Sequence, residues 1–387
     1  MKDPQHVPLG QSAAQPDRPF DTAGGKPLRL LFWESTVRCN LACRHCRRLE
    51  ACQAAAAADL TTAEARAMLD QAAELGRPIV VFSGGEPLMR DDWRELAGYA
   101  GKLHLPAALA TNGTLVDRPL ARQIAAAGFT RISVSLDGAD AATHDAFRGA
   151  AGAYNLAIAG IEALHSAGQE VQINAAVAGH NIHQLDELYS LAGSLGAVAL
   201  HLFLLVPVGC GARIGESHQL TPEVYERALS WLCDRQAARQ SSRQAALLTG
   251  GQEGVLDLKA TCAPHYHRLA AQQGLDLGRH AGRGCLCGLS VMFVSHRGLV
   301  FPCGYLPVEC GSIRQTSLAD IWRGSKVFAD LRDFDRLTGK CGRCEYKAVC
   351  GGCRARAFAA GGDYLGEEPC CSYQPACRRP GKARPHS

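Results

Sequence analysis

The chain has 387 residues, of which 47% are apolar and 20% are charged, and its formal net charge is +4. This length suffices for one large domain and a smaller one, and the charge is too small to indicate a nucleic-acid partner. The first 27 residues are polar, and the longest apolar stretch, residues 198–208, is well short of the roughly 20 residues of a membrane helix. We therefore expect no signal peptide and no membrane contact, and we predict a cytoplasmic protein that uses cysteines, of which it has 18, to bind metal.

From Leu28 onward, short apolar strands alternate with amphipathic helices. The predicted strands are Leu28–Glu34, Ile79–Ser83, Ala107–Thr111, Arg131–Leu136, Glu170–Val177 and Ala199–Val206. The predicted helices lie near Thr61–Leu75, Asp91–Ala100, Asp117–Ala127, Tyr154–Ala167 and Ile182–Leu195. The first helix begins with a capping-box pattern, Thr61 and Glu64. This alternation predicts an α/β fold with a parallel, helix-covered sheet, and functional residues at the carboxyl ends of its strands.

Three cysteines, Cys39, Cys43 and Cys46, follow the first predicted strand with three and then two residues between them. One short loop can turn all three sulfurs inward. A cubane iron–sulfur cluster takes four ligands, so three cysteines leave one iron open. An open position can bind a chelating molecule and support chemistry on it. A zinc loop or three structural cysteines are the alternatives.

Polar turns follow several of the predicted strands. After the second strand, Gly84 and Gly85 offer bare backbone to a ligand, and Glu86 offers an acceptor for an ammonium group. After the fourth strand, Ser135 and Asp137 are candidates to bind a ribose. The remaining candidates for this nucleoside pocket are Asn112, Asn174 and Val206. Each of these residues is also compatible with an ordinary turn or core position.

Cysteines return in the last third of the chain. The spacing from Cys285 is C-x12-G-x4-C, ending at Cys303, and the later cysteines are Cys310, Cys341, Cys344, Cys350, Cys353, Cys370 and Cys371. The spacing of Cys341, Cys344, Cys350 and Cys353 also suits a zinc ribbon. We interpret the others as ordinary thiols: Cys52, Cys210, Cys233 and Cys377.

The chain divides into five predicted segments. Residues 1–27 form a flexible leader, 28–215 the parallel sheet, 216–260 a connector, 261–377 the cysteine-rich domain and 378–387 a basic tail. In the connector, a helix begins at Thr221 and continues towards Asp234, and a solvated helix end and loop follow over 235–253.

The cysteine loop, followed one βα unit later by Gly84-Gly85-Glu86-Pro87, resembles the signature of the radical S-adenosylmethionine (SAM) enzymes. This resemblance implies a partial (β/α)6 TIM-like barrel, a [4Fe–4S] cluster on the three cysteines, and SAM chelating the open iron. It also implies that the Gly-Gly-Glu turn holds the SAM amino group and that His45 lies beside the adenine.

The later cysteines resemble the SPASM extension of these enzymes, which implies two auxiliary [4Fe–4S] clusters. The implied ligands are Cys285, Cys303, Cys310 and Cys353 for one cluster and Cys341, Cys344, Cys350 and Cys371 for the other. The chain departs from the family pattern, because two residues rather than three separate Cys350 from Cys353. Substitute ligands are Cys262, Cys287 and Cys370.

Further stretches resemble the radical SAM heme synthases of the siroheme-dependent pathway over about residues 28–375, among them Phe32-Trp33-Glu34, residues 43–47, 200–207, 260–266, 302–306 and 351–357. The resemblance implies oxidative decarboxylation of two propionates of iron-coproporphyrin III to vinyl groups, which gives heme b. A low-potential donor such as flavodoxin or ferredoxin would supply electrons. Arginine forks suit propionates, and the candidates are Arg148 and Arg213, then Arg354 and Arg356. Candidate ligands of the substrate iron are His201, Cys262, His265 and His267.

Three other functions are compatible with these motifs. A related radical SAM enzyme would act on another iron tetrapyrrole, on the heme d1 or didecarboxysiroheme route. A SPASM peptide maturase would usually carry an N-terminal peptide-recognition domain, for which the short leader leaves no room. A non-catalytic electron carrier would need no SAM pocket.

Overall fold

The structure is a computed structural model that describes residues 27–48, 59–249, 256–277 and 282–376. One sheet of ten strands has the order β10-β9-β8-β1-β2-β3-β4-β5-β6-β7. All neighbours from β8 to β7 in this order are parallel, and β9 and β10 add an antiparallel edge. The strands are β1 Leu30–Thr36, β2 Ile79–Gly84, β3 Ala107–Thr111, β4 Arg131–Ser135, β5 Val171–Val177, β6 Ala199–Leu204, β7 Asp257–Thr261, β8 Val291–Val294, β9 Leu299–Phe301 and β10 Gly311–Ser312.

Helices connect the strands of the parallel part and fold around the cysteine-rich region. Those before residue 220 are α1 Thr62–Glu74, α2 Trp93–Lys102, α3 Arg118–Ala126, α4 Ala141–Arg148, α5 Ala153–Ser166, α6 Leu185–Ser194 and α7 Gly215–His218. The later ones are α8 Pro222–Thr249, α9 His265–Gln273, α10 Leu318–Gly324, α11 Lys326–Arg332, α12 Gly339–Arg343 and α13 Arg354–Gly361. Short 3-10 turns lie at Pro87–Met89, Ile182–Gln184, Gly209–Ile214 and Phe334–Arg336.

The predicted α/β fold is confirmed, and all six predicted strands are present in adjacent order. The capping box at α1 forms as its sequence requires, because Glu64 N donates to Thr61 Oγ1 at 3.2 Å and Thr61 N donates to Glu64 Oε2 at 2.8 Å. Three elements of the parallel part of the fold were not predicted there. Helix α4 follows β4 directly, and β7 and β8 extend the parallel sheet on either side of the six predicted strands.

The prediction for residues 235–253 was wrong over its first part. Helix α8 continues to Thr249 instead of ending near Asp234, and it packs against α9 and β7. The predicted connector also includes most of β7, which pairs in parallel with β6. The leader up to residue 26, the basic tail, Cys52 and Cys377 lie outside the described residues.

Three apolar clusters form among the described residues, and the two larger ones hold these elements together. The main core lies between the sheet and its helices and includes Trp33, Phe82 and Ile132, all fully buried. A second cluster joins Val206 and Val208, which follow β6, to cysteines and apolar residues of the cysteine-rich region. The carboxyl end of the parallel sheet is thus packed directly against that region. Within the described ranges, no helix combines the length and apolarity needed to cross a membrane.

Candidate active site

Each of the three cysteine sulfurs in the loop after β1 lies near one hydrogen-bond donor. Leu41 N lies 3.4 Å from Cys39 Sγ, and Arg48 Nε lies 3.2 Å from Cys46 Sγ. Arg148 Nη1 lies 3.7 Å from Cys43 Sγ. Donors and cations around sulfur stabilise thiolates and tune an iron–sulfur cluster. The residues present therefore fit three thiolate ligands of such a cluster.

The loop after β6 fixes the end of this cysteine loop. Cys210 N donates to Cys46 O at 2.9 Å. Gly209 has φ +58°, and a Cβ there would lie 2.2 Å from Arg48 O. Only glycine permits both the left-handed backbone and this close approach.

Gly84 and Gly85 are required by the packing of the chain against itself. A Cβ would lie 2.5 Å from Thr36 O at Gly84 and 2.1 Å from Arg38 O at Gly85. Gly85 N donates to Thr36 O at 2.8 Å, which ties the turn to the start of the cysteine loop. Packing of the backbone thus requires both glycines even without a ligand, and a SAM contact there stays a prediction.

Glu86 is fully buried at this junction. Its Oε1 accepts a hydrogen bond from Thr111 Oγ1 at 2.8 Å, and its Oε2 accepts one from Asn112 N at 2.8 Å. Burial raises the pKa of Glu86 to about 7 although these hydrogen bonds oppose the shift. Asn112 Nδ2 also donates to Asn40 Oδ1 at 2.9 Å and so joins the turn to the cysteine loop. A buried carboxylate held in this way is suited to meet a cationic group.

Asp137 is fully buried and paired within the protein. Its Oδ2 lies 2.7 Å from Arg148 Nη2 and 3.3 Å from His45 Nε2, and its Oδ1 accepts from Ala176 N at 2.7 Å. Burial alone would raise the pKa of Asp137, but Arg148 and His45 lower it to about 2. The carboxylate thus holds Arg148 and His45 beside the cysteine loop, and its predicted ribose contact stays a prediction.

His45 packs into a stack of rings. Its ring centroid lies 4.0 Å from that of Phe147 at 3° between planes, and Phe147 lies 3.5 Å from His180 at 14°. Burial lowers the pKa of His45 to about 4, so the imidazole is neutral near pH 7. One face of the ring is thus covered, and contact with an adenine would use the other face or an edge.

The other predicted pocket residues lie on adjoining strands. Ser135 and Asn174 are register partners on β4 and β5, and Val206 is buried just after β6. Asn174 Oδ1 accepts from Gln172 Nε2 at 2.7 Å, and the same amide lies 2.9 Å from His201 Nδ1. His201 is therefore engaged with a neighbouring strand.

Four cysteines predicted to share one cluster line a single cleft: Cys341, Cys344, Cys350 and Cys371. Their sulfurs also meet donors, since Glu368 N lies 3.4 Å from Cys341 Sγ and Gly352 N lies 3.4 Å from Cys350 Sγ. In the described part of the chain, no three His, Cys, Asp or Glu side chains are placed to hold one metal ion. Four thiolates are the number of ligands that a closed [4Fe–4S] cluster takes.

A second group of cysteines lies in the apolar cluster beside β6: Cys262, Cys285, Cys287, Cys303 and Cys353. Cys287 hydrogen-bonds both Cys285 and Cys303, and its bond to Cys285 lowers the pKa of that thiol to about 5. Cys310 packs against the main core instead, with its Sγ 3.7 Å from Val308 O. Packing places Cys287 among Cys285, Cys303 and Cys353, which makes it a candidate ligand, and the ligand role of Cys310 stays a prediction.

Three of the four predicted substrate arginines already have partners within the protein. Arg148 is committed to Asp137 and Cys43, and Arg213 is exposed on the 3-10 turn after β6. Arg354 donates to Gly366 O at 2.7 Å and Arg356 donates to Glu368 Oε1 at 2.9 Å, both buried. The guanidinium of Arg148 already contacts Asp137 and the cysteine loop, and its propionate role stays a prediction.

Arg47, which the sequence did not single out for substrate, lies between the cysteine loop and the turn that carries Cys303. Its Nη2 donates to Ser83 Oγ at 3.0 Å, and its guanidinium carbon lies 4.8 Å from the centre of the Phe293 ring. A Cβ at Gly304 would lie 2.9 Å from Arg47 Nη1. That nitrogen is buried and has no hydrogen-bond partner among the described residues. The sequence signal was an arginine adjoining the last cysteine of the loop.

Comparison with known families agrees with this geometry. Residues 33–192 match the radical SAM superfamily, and residues 285–354 match SPASM, an iron–sulfur cluster-binding domain. The protein is a radical SAM enzyme that uses SAM, a [4Fe–4S] cluster and auxiliary iron–sulfur clusters. The zinc ribbon and the non-catalytic electron carrier are thereby disfavoured.

Comparison with individual proteins identifies a narrower family among the radical SAM enzymes. The chain is 46% identical over 357 residues to an AdoMet-dependent heme synthase of Methanosarcina barkeri, covering 90% of this chain and 97% of the relative. A heme synthase of Oleidesulfovibrio alaskensis is 43% identical and covers 95% of this chain and 93% of its own length. The chain belongs to the family of the AdoMet-dependent heme synthases. In fold, it resembles Streptococcus suis SuiB bound to its precursor peptide SuiA, with a TM-score of 0.70 and 17% identity over 90% of this chain and 76% of SuiB.

Proposed function

We propose that this enzyme converts two propionates of iron-coproporphyrin III to vinyl groups by oxidative decarboxylation and so makes heme b. The observation that carries the proposal is the donor-lined loop of Cys39, Cys43 and Cys46, in a chain that aligns with heme synthases over nearly its whole length. Relatives that represent the alternatives, a pre-heme d1 synthase and a mycofactocin maturase, align over similar shares of the chain, but at 35% and 30% identity against 46% for the heme synthase.

The cysteine loop would hold the [4Fe–4S] cluster with one iron open to SAM. When bound, the cluster and SAM supply a radical that can remove a hydrogen atom from the substrate. The protein contributes position and charge. Buried Glu86 is suited to accept the SAM ammonium group, and Asp137 keeps Arg148 beside Cys43.

Two further sets of thiolates would hold the auxiliary clusters. We assign Cys285, Cys287, Cys303 and Cys353 to one and Cys341, Cys344, Cys350 and Cys371 to the other. The first set packs with Val206 and Val208 beside the carboxyl end of the sheet, a position that suits uptake of the electron released when the propionate carboxylate leaves as carbon dioxide.

Arg47 is our candidate for a propionate contact. Its buried, unpartnered Nη1 lies between the loop that binds SAM and the turn of Cys303, the region that a substrate shared by both cofactors must occupy. A guanidinium with one satisfied and one open nitrogen can donate a hydrogen bond to a carboxylate. We also retain a cytoplasmic location and a flavodoxin or ferredoxin donor as parts of this proposal.

The test is an anaerobic assay of iron- and sulfide-reconstituted protein with dithionite, SAM and iron-coproporphyrin III, followed by mass spectrometry. We expect mono- and divinyl products together with 5′-deoxyadenosine, and neither from Cys43→Ala. Deoxyadenosine with an unchanged porphyrin would reject the substrate, and parallel assays with didecarboxysiroheme would then identify a related tetrapyrrole route. A fully loaded protein that forms no deoxyadenosine would reject the function altogether.

A further inference from the structure

His265, the first residue of α9, is fully buried, and neither of its ring nitrogens has a hydrogen-bond partner within the described ranges. Its Nε2 lies 3.9 Å from Glu368 Oε2, which is beyond hydrogen-bond distance. Buried polar groups in proteins are almost always paired, so an orphan of this kind indicates a partner that the polypeptide itself does not supply.

The surroundings of His265 identify that partner. The side chain lines the same cleft as Cys341, Cys344, Cys350 and Cys371. Four cysteines complete the coordination of a [4Fe–4S] cluster, so the imidazole is not needed as an iron ligand. A neutral or a charged imidazole carries at least one N–H donor in either state. The sulfur atoms of a cluster in this cleft are acceptors for it.

The imidazole is also held in place. Its ring meets Tyr225 edge-on with centroids 5.0 Å apart. Tyr225 OH accepts a hydrogen bond from Arg356 Nη2 at 2.7 Å, and Arg356 Nε donates to Glu368 Oε1 at 2.9 Å. Glu368 Oε2 in turn accepts from Cys353 N at 2.7 Å, and Glu368 N lies 3.4 Å from Cys341 Sγ. This buried network spans the two cysteine groups and fixes His265 against the second.

We propose that His265 donates a ring N–H hydrogen bond to a sulfur atom of the cluster held by Cys341, Cys344, Cys350 and Cys371, and thereby raises the reduction potential of that cluster. A donor to sulfur stabilises the more negative, reduced cluster relative to the oxidised one. His265 is thus a positioning and tuning residue, which makes this cluster a better electron acceptor than it would be without the imidazole. The inference rests on the ligand set proposed above.

The experiment is an EPR-monitored redox titration of the full-length, iron-loaded protein without substrate. Replacing Cys39, Cys43 and Cys46 by Ala in all samples removes the SAM-binding cluster and leaves the two auxiliary signals. His265→Phe keeps a ring but removes the N–H, His265→Gln restores an N–H, and His267→Phe is the matched control on the same helix. We expect one potential to shift to more negative values in His265→Phe, to recover partly in His265→Gln, and to stay unchanged in His267→Phe.

Two results would overturn the inference. One is full iron content with unchanged potentials in His265→Phe. The other is loss of one cluster's iron in His265→Phe that His265→Gln does not restore, because His265 would then be a ligand. The titration contains no tetrapyrrole, so its outcome is independent of whether the proposed substrate is correct, and failure of heme formation would not affect it.

Discussion

Asp137 and Arg148 form a buried ion pair, with Oδ2 and Nη2 2.7 Å apart, and the same guanidinium lies 3.7 Å from Cys43 Sγ. Asp137 follows β4 and Arg148 is the last residue of α4, so the ion pair links the ends of these two elements to the cysteine loop. Breaking a buried pair on one side leaves an uncompensated charge, which is strongly destabilising.

Arg148→Met should therefore lower the free energy of unfolding by about 3–5 kcal/mol and reduce iron loading of the first cluster. Anaerobic denaturant unfolding and iron analysis would measure both effects. Arg213→Met, at an exposed position, is the control and should change neither. Equal unfolding free energies in the two variants would show that the ion pair does not support the loop.

SAM binding should depend on pH through Glu86. Burial raises the pKa of this carboxyl to about 7, so in the SAM-free protein the group is largely protonated below that pH and cannot pair with an ammonium. Because the folded pKa exceeds the ordinary value, the group favours the folded state most at low pH, and that contribution is lost as the pH rises through about 7. SAM affinity has the opposite dependence and should fall as pH drops below 7.

Equilibrium dialysis of the iron-loaded enzyme between about pH 6 and pH 8 would measure this dependence. We expect up to about tenfold weaker binding per pH unit below the pKa, and weak, pH-independent binding in Glu86→Gln. Asp91→Asn alters an exposed carboxylate on the same loop and should bind SAM as the unchanged enzyme does. A pH profile that survives in Glu86→Gln would assign the titration to another group.

The sequence predicted those parts of the molecule in which local spacing determines the outcome. Cysteines three and two residues apart can form only a compact loop, and the capping box at Thr61 depends on residues within one turn. Strand β7 escaped prediction because its short, half-polar sequence becomes a strand only by pairing with β6, more than 50 residues away. The contacts of Arg148 with Cys43 and Asp137 were not predicted for the same reason, because tertiary packing brings these residues together.

The cysteines show the limit of spacing as a guide to ligands. Cys287 and Cys310 both fit a SPASM-like pattern, and only the packing of Cys287 between Cys285 and Cys303 distinguishes the two as candidate ligands.

Cys287→Ala should lose the iron and sulfide of one cluster, about four of each per chain, whereas Cys310→Ala should retain them. Chemical analysis of the reconstituted variants measures this. The reverse pattern would restore Cys310 to the ligand set.

Substrate affinity should depend on Arg47 through a propionate carboxylate. A charge-assisted hydrogen bond contributes about 1.5–3 kcal/mol, so Arg47→Met should weaken binding of iron-coproporphyrin III roughly ten- to hundredfold. Titration of the porphyrin absorbance without SAM measures this binding apart from catalysis. Arg44→Met changes an exposed arginine of the same loop and should have little effect.

The tetramethyl ester of the substrate separates a carboxylate contact from a general loss of shape. The ester keeps the macrocycle but carries no propionate charge, so the unchanged enzyme should bind it weakly, and Arg47→Met should bind it about as weakly as the unchanged enzyme does. If the substitution instead weakens binding of ester and acid by the same factor, Arg47 supports the packing around Phe293 and Gly304 rather than the substrate carboxylate. Arg47→Lys refines the result, because a lysine keeps the charge but not the fork that bonds Ser83 and a carboxylate together. Arg47→Lys should therefore bind iron-coproporphyrin III more weakly than the unchanged enzyme and more tightly than Arg47→Met. This is the result expected if one guanidinium nitrogen of Arg47 bonds the Ser83 hydroxyl and the other bonds a propionate.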